Sequence, residues 1–590
     1  MLLAYCGATS CVPGEILRFH LSGEPDGTVA VSNALDGRVL LQDKVSGALW
    51  KLVIPAGWPS SVYRARFAPG DFDVYFVVRA SRPSSPIVVS IPFATWLAYD
   101  RSGVPGEGLY YAEQPDRAAR VSFDRPWCGP PPERWEEGLL RWLAPAGYTV
   151  DYCSNLDLHD PIDPSYRLLV INGHDEYWSW EMRDSAETFA RQGGNIAIFA
   201  GNTCYWQARF EDNRRTMVCY RDAVADPVPD RSRVTVEWSS AVVNRPESSL
   251  TGMSYRYGAG AWGPYMGMMK ETSYTARFGD HWVFDGTGVS DGSSFGLGAV
   301  GYETDATPFS ECDGVPLADN SDFVILATAD LRHWRAYGQG GFATMGIFEL
   351  GQGKVFNAAT VSWGNTLGDP VVERVTRNVL NRLSAPRTGS WETIGSGAEA
   401  IAACEHRYFA IDGGVLLTRP AGGQNLRWQA IGDADGTVCL ASPSEAAAGL
   451  AVGLYAVTSL GALRFREPVA ADAPWEDLGI APQGTVALAI CDGTFFAATS
   501  TALWALSLAG VAAGDLAWAS VEAVTGVVAL TAMNGRLYAL DSAGNVRTRL
   551  PVTEPSGWEC FVTAQGFSTI AGHRGRLIAS GRGRSLAWYC

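Results

Sequence analysis

The chain has 590 residues, too many for one hydrophobic core, so three or four domains are expected. A net charge of −16 argues against nucleic acid or an anionic membrane surface as the main partner, and no stretch approaches the length of an apolar membrane span. The twelve cysteines are scattered, with neither zinc-ribbon spacing nor the density of a disulfide scaffold.

The first residues, MLLAYCGATSCVPGE, have no basic n-region and only a short apolar run, so a cytoplasmic location is expected. Residues 1–82 read as an immunoglobulin-like β-sandwich. The segments Ile16–Leu21, Thr28–Ser32, Val39–Leu41, Leu49–Trp50 and Asp73–Arg79 are short strands separated by Gly, Pro and Asp. No chemistry is visible there, and a packing role is the simpler reading.

The run Ser81-Arg-Pro-Ser-Ser-Pro86 marks a linker, and residues 83–386 then alternate β and α patterns, the mark of a doubly wound sheet. Ile87–Ile91 and Tyr148–Tyr152 read as strands and Glu133–Ala144 as a helix. The stretch YRLLVINGHDEYWSWEMRDSAETFARQGGNIAIFAGNTCYWQARF is the most informative. Leu168–Ile171 and Ile196–Phe199 are buried strands. Between them lies a helix capped by Ser179 and stopped by Gly193-Gly194. This is a β-α-β unit with parallel strands, whose ligand crevice should lie beyond the strands' carboxyl ends. Between about 230 and 360 the chain is strand-rich, with Arg233–Glu237, Trp282–Phe284, Phe323–Leu326 and Val355-Phe356, and reads as an insertion or lid. A last helix starts at Asp369-Pro370.

Residues 387–590 carry an internal repeat. An aromatic or apolar residue precedes alanine at Ala410, Ala456, Ala497, Ala539 and Ala579, and Trp391, Trp428, Trp475, Trp518, Trp558 and Trp588 recur between them. Periods near 40 residues with a short last interval predict a five-bladed β-propeller closed by its terminal strand. Its once-per-blade aromatics either stack on a glycan or protein partner or form the blade cores.

Tyr177 and Tyr205 each stand six residues past a strand and each precedes Trp, so both should face one crevice. Either phenol alone is more simply a packed tyrosine. Together they offer hard anionic oxygens suited to ferric iron, with a carboxylate to complete the set and a metal-activated water. His174, Asp175 and Glu176 are consecutive, so at most two line the site. His174 is a candidate general base, and a loop histidine bonded to backbone is an equal alternative. Cys204 resembles a nucleophile past a strand, but Gly201-Asn-Thr-Cys204-Tyr205 lacks the second glycine of a nucleophile elbow, and a buried inert thiol is the simpler reading. Asp157 and His159 read as loop-capping groups.

The runs SFDRPW, NLDLHDP, GHDEYWSWEMRD, GGNIAIFAGNTCYWQARFE, MVCYRD, VGYETD, FNAATVSWG and VTRNVLNRL, in this order, resemble the large-subunit core of N,N-dimethylformamidase and its relatives over roughly residues 85–385. The resemblance implies a glutamine-amidotransferase-like α/β core with one mononuclear iron, held by two tyrosines and a glutamate, cleaving a linear amide C–N bond. Tyr177 and Tyr205 would be the phenolate ligands. Glu303 of VGYETD would be the third, with Asp305 two residues on as its alternative. His174 and Glu176 would assist proton transfer, and Asn202 would donate to the developing oxyanion. A small amide substrate and a homo-oligomer are expected, and the family's enzyme also pairs with a small second subunit. The rival readings are a glycan- or protein-binding module built on the propeller, and thiol hydrolysis through Cys204.

Overall fold

Leu17, Phe19 and Leu21 alternate with exposed neighbours along strand Ile16–Gly23, and this period of two gives the chain its first sheet. That strand lies between Leu2–Cys6 and Leu49–Val53. A five-stranded sheet of Ser10–Cys11, Phe72–Val78, Ser61–Ala68, Asp26–Asn33 and Val39–Ser46 shares its core of Phe19, Trp50, Tyr63, Phe67 and Phe76. The computed structural model describes residues 1–590 apart from 24–25, 101–107, 111–116, 127–128, 132, 263–266, 268–269, 313–314, 319–322, 335–339, 387–390, 405–406, 422–425, 444–450, 469–472, 508–510, 512–515, 574–575, 582–584 and 590. Trp127, which ends the SFDRPW run, lies outside the described residues. Strands hold 46% of the residues and helices 12%, so β-structure dominates. The chain forms two compact units, residues 1–385 and 386–590.

The first unit is built on a nine-stranded mixed sheet. Asp151–Ser154, Ile87–Ile91, Leu168–His174, Asn195–Gly201 and Gly353–Asn357 run parallel in that order. Ser179 caps helix Trp180–Arg191 by accepting from the Met182 N–H at 3.2 Å, and Met182, Ala186, Phe189 and Ala190 form its buried face. Gly193, at φ 108, ends it in the left-handed region. The chain then returns in register, Leu168 opposite Asn195 and His174 opposite Gly201. Asp369 caps helix Pro370–Ser384, with Pro370 in its first turn.

The stretch from 230 to 360 builds this sheet rather than lying over it. Phe342–Leu350, Val324–Asp330, Tyr274–Ala276 and Ser294–Phe295 continue it as antiparallel strands. Two expected strands here are absent. Arg233–Glu237 follows a 3₁₀ turn capped by Asp230, and the Asp226 carboxylate takes the Thr235 N–H at 2.8 Å, a bond a sheet partner would otherwise make. Trp282–Phe284 is a buried 3₁₀ turn whose first free N–H, that of Val283, is bonded by the His281 ring. Three apolar residues in a row fit either element, and the histidine cap decides.

His281 is buried, and burial, reinforced by the Lys354 and Arg382 charges, lowers its pKa to about 3. The imidazole must therefore stay neutral in the folded protein. Its contribution to stability is complete above the ordinary histidine pKa of about 6.5 and is lost progressively as pH falls from there toward 3. Between about pH 7.5 and pH 5.5 this group should cost the folded state about 1.4 kcal/mol that a His281→Gln variant does not lose. Parallel urea titrations of the two proteins check this, and equal pH slopes would refute it.

The second unit consists of five four-stranded antiparallel sheets. The strands Ala400–Cys404, Thr437–Ala441, Ala487–Cys491, Val527–Met533 and Thr569–His573 touch in cyclic order, the last returning to the first. The first strand of the unit, Trp391–Ser396, pairs with the last, Ser585–Tyr589. A void of about 10 Å³ lined by residues from all five inner strands lies at the centre, barely the size of one water. The tryptophans join neighbouring sheets. The indole N–H of Trp428 donates to Ser396 O at 2.9 Å, that of Trp518 to Ile480 O at 3.2 Å, and that of Trp391 to Thr563 O at 2.7 Å. A nine-residue spacing also recurs. Arg419, Arg466 and Arg549 are buried and stack 5.5, 5.9 and 5.7 Å from the rings of Trp428, Trp475 and Trp558. These aromatics are therefore occupied in holding sheet to sheet.

Candidate active site

Two glycines let the loops at the sheet's carboxyl edge come together. Gly173, at φ 76, has no room for a Cβ, which would sit 2.7 Å from a Glu136 carboxylate oxygen. At Gly201 a Cβ would stand 2.5 Å from Glu303 O, so only glycine lets strand Glu303–Ala306 approach this closely. The tight approach places Glu303 beside the loop that follows Gly201. Asp305, two residues on and on the same face, accepts the N–H groups of Asn202 at 2.9 Å and Thr203 at 3.3 Å and fixes that loop.

His174, Glu176, Tyr177, Asn202 and Glu303 are all buried at this edge. The Nε2 of His174 lies 2.8 Å from Glu303 Oε2 and 3.6 Å from Glu176 Oε2, so one imidazole stands between two carboxylates. Asn202 donates from Nδ2 to Glu303 Oε2 at 3.0 Å. Asp175 turns away and accepts from Asn155 at 3.0 Å. Tyr177 shares a short hydroxyl–hydroxyl hydrogen bond with Tyr110. Tyr177 opens a short strand paired in parallel with Trp206–Glu211, with Tyr177 opposite Trp206, so Tyr205 sits one residue before that partner. The Tyr205 hydroxyl donates to Glu237 at 3.2 Å, and its ring meets Tyr255 edge-on at 5.4 Å.

Four contributors lay outside the sequence reading. Tyr99, just past the helix Phe93–Ala98, donates to Glu176 at 3.0 Å. Tyr110 donates to the same carboxylate at 3.3 Å and stacks on Tyr99 at 4.3 Å. The Arg221 guanidinium lies 4.5 Å over the Tyr110 ring and donates to Leu109 O. Glu136 accepts the backbone N–H of His174 at 3.2 Å and holds the end of that strand. Arg221 stands in the MVCYRD run, but Tyr99 and Tyr110 are flanked by no motif that a sequence could announce.

Burial sets the protonation of the site. It raises Tyr99, Tyr110 and Tyr177 well above the usual phenol value, and the neighbouring Glu176 charge adds to this, so all three keep their protons unless a cation is close. Burial raises Glu176 to about 7, Asp175 to about 7 and Asp305 to about 8. For His174 burial alone acts downward, but the carboxylates of Glu303, Glu176 and Glu136 together outweigh it and raise the imidazole to about 9. Cys204 is buried and its thiol is pushed far up by desolvation, which leaves no thiolate for nucleophilic work. Asp157 takes part in the capping box of Ser154 and accepts from Ser10 at 2.6 Å, while His159 bonds Ser179 at 3.0 Å.

Among the described residues, no three His, Cys, Asp or Glu side chains are grouped to hold a metal ion. The donors gathered here are of another kind. Phenols and the carboxylates of Glu176, Glu303 and Asp305 outnumber the His174 and Arg221 cations, and the Tyr255 hydroxyl and Asn202 Oδ1 are buried without a hydrogen-bond partner among the described residues. An oxygen-rich, buried set short of positive charge suits a hard cation.

A mixed sheet with a closed acid–imidazole–phenol centre at its carboxyl edge defines the class of protein. More narrowly, the chain belongs to the "N,N-dimethylformamidase beta subunit-like, C-terminal" family, whose profile matches residues 45–377. It is 24% identical over 278 residues to the N,N-dimethylformamidase beta subunit of Paracoccus aminophilus, covering 42% of this chain and 36% of that protein. It is 24% identical over 288 residues to the subunit of the same name from an Alcaligenes species, with the same coverage. The chain thus matches only about a third of the length of these relatives. Among solved structures, Myxococcus xanthus glutaminyl cyclase matches over 34% of this chain and 91% of its own, at 16% identity and a TM-score of 0.26. The nidogen/laminin complex matches over 30% and 70%, at 12% identity and a TM-score of 0.23. Among the described residues no helix is long and apolar enough to cross a membrane.

Proposed function

We propose that this chain is an iron-dependent hydrolase of a small linear amide, working in a glutamine-amidotransferase-like α/β core (residues 83–386) behind a sandwich (1–82) and joined to a five-bladed propeller (387–590). The observation that carries the reading is the His174 imidazole standing between the Glu303 and Glu176 carboxylates beside the Tyr177 phenol, all buried at the carboxyl edge of the sheet. Tyr177, Tyr205 and Glu303 would hold the iron, ferric in the resting state, with the Tyr205 hydroxyl exchanging Glu237 for the metal. When bound, the iron would polarise the amide carbonyl and acidify a water.

The protein's own groups supply the rest. Tyr99 and Tyr110 donate to Glu176 and fix its carboxylate toward His174. Glu176 would take the proton from the attacking water, and His174, kept protonated by the surrounding carboxylates, would give one to the departing amine. Asn202 donates from Nδ2 to Glu303, and its second amide N–H would serve the developing oxyanion. The relatives are named as beta subunits of N,N-dimethylformamidase, so a partner subunit or a further copy of the chain belongs to this proposal, as does a formamide-type substrate. The cyclic strand contacts and the pairing of Trp391–Ser396 with Ser585–Tyr589 support the propeller.

Metal analysis tests the proposal before any substrate is known. Protein expressed with added iron should carry about one iron per chain and show a purple-to-brown tyrosinate absorption. Colourless, metal-free protein under those conditions sinks it.

A further inference from the structure

Strand Ser254–Gly260 pairs antiparallel with Glu303–Ala306, but its register jumps from Ser254 opposite Ala306 to Ala259 opposite Thr304. The extra residues form a bulge, and a bulge re-aims the side chain it carries. Here that side chain is Tyr255. Its ring meets Tyr205 edge-on at 5.4 Å, and its hydroxyl lies over Gly260, where a Cβ would come within 2.6 Å of the oxygen. Gly260 stands directly opposite Glu303, and cross-strand partners point to the same face. The hydroxyl therefore occupies the face from which the Glu303 carboxylate reaches His174. Glycine at 260 gives it that room.

Tyr255 is 6% exposed, yet its hydroxyl has no hydrogen-bond partner among the described residues. Burying an unpaired O–H costs stability, and phenylalanine would fill the same space without that cost. A hydroxyl kept on these terms points to a ligand that completes it. Burial, reinforced by the Glu303 and Glu176 charges, raises the phenol far above its usual value, so the group is a neutral O–H. The acids around it are already engaged. Glu303 serves His174 and Asn202, Glu176 serves Tyr99 and Tyr110, and Asp305 serves the backbone of Asn202 and Thr203. The O–H is left for an acceptor that arrives with the ligand, and an amide carbonyl is such an acceptor.

We infer that Tyr255 is a further catalytic residue, whose hydroxyl donates to the carbonyl oxygen of the bound amide and to the oxyanion formed from it. The reaction assigned to it rests on the hydrolase reading, so binding and turnover are measured apart. The whole chain, expressed with added iron, and its Tyr255→Phe variant are titrated calorimetrically with N,N-dimethylformamide and with N,N-dimethylthioformamide, whose sulfur is a poor acceptor. The variant should bind the formamide about tenfold more weakly than the parent does, and the thioformamide within about twofold. Its kcat/KM for formate release should fall about 10²-fold. Iron content should stay that of the parent, and the thermal midpoint should not fall, as it would for a structural hydroxyl. Gly260→Ala sets a methyl against the hydroxyl and should weaken the formamide similarly. In the Tyr255→Phe background it should add nothing, because the oxygen it strikes is gone. The inference is overturned if Tyr255→Phe binds the formamide as the parent does, weakens both ligands equally or loses its iron, if the two substitutions add, or if the parent binds no formamide. A parent that binds formamide without releasing formate, or without iron, fails as the proposed hydrolase, and the binding comparison still decides the role of Tyr255.

Discussion

Glu303→Gln should abolish amide hydrolysis, lowering kcat/KM by about 10³-fold or more, and should release the metal as well. The size of the effect follows from the number of contacts that converge on one carboxylate. Oε2 of Glu303 stands 2.8 Å from His174 Nε2 as its ion-pair partner and accepts from Asn202 Nδ2 at 3.0 Å. A glutamine keeps the shape but brings an NH₂ group and no charge. Its carbonyl oxygen can still accept from two donors, but it offers no negative charge to a hard metal ion or to the imidazolium. Removing one partner of a buried charged pair also leaves the other without its counter-charge, so His174 loses its main support for the protonated form. Formate release from formamides, iron content and thermal midpoint should be measured on the same preparations. A folded Glu303→Gln protein with activity within about tenfold of the parent contradicts the assignment. Tyr177→Phe and Tyr205→Phe separate the two phenols. Each should bleach the tyrosinate band, and a Tyr205→Phe protein that keeps its colour would assign Tyr205 to Glu237 alone.

Much of this centre could be read from local pattern, and what could not has a physical reason. The β-α-β unit was legible because its helix has a serine cap, a diglycine stop and an apolar stripe, all contained within one stretch. Glu303 and Asp305 on one face followed from the period of two once a strand was assumed there. Tyr99 and Tyr110 were not legible. They reach Glu176 across separations of 77 and 66 residues, and nothing in their immediate neighbours distinguishes them from packing tyrosines. The segment Arg233–Glu237 misled because its alternation is that of a strand, whereas the Asp226 carboxylate claims the Thr235 N–H and Asp230 caps a 3₁₀ turn at its start. Side-chain competitors of this kind are visible only when the chain is folded. The role of the repeated tryptophans was open for the same reason. Spacing shows that an indole recurs, but only the bonds from Trp428, Trp518 and Trp391 to a neighbouring sheet show what it does.

The second large effect is expected at Trp588. This side chain is 1% exposed and lies on the last strand, Ser585–Tyr589, which pairs on one side with Trp391–Ser396 and on the other with Arg576–Ser580. It packs among Ile394, Tyr408, Ala571 and Ile578, with the Arg576 guanidinium 5.0 Å over its ring. Those neighbours come from both ends of the unit's sequence, so the indole helps hold the first strand to the last. Trp588→Ala should therefore destabilise the unit by about 3–5 kcal/mol, the ordinary cost of emptying a core site of this size. The comparison that isolates closure is Trp518→Ala. That indole is only partly buried and joins two adjacent sheets through Ile480 O, away from the closing strands, so its loss should cost less. Amide exchange then distinguishes a cavity from an opened ring. In the closure account, strands Trp391–Ser396 and Ser585–Tyr589 lose protection together in Trp588→Ala while Val527–Met533 keeps it. Uniform loss across all five sheets would mean that the indole acts as core volume and not as a latch.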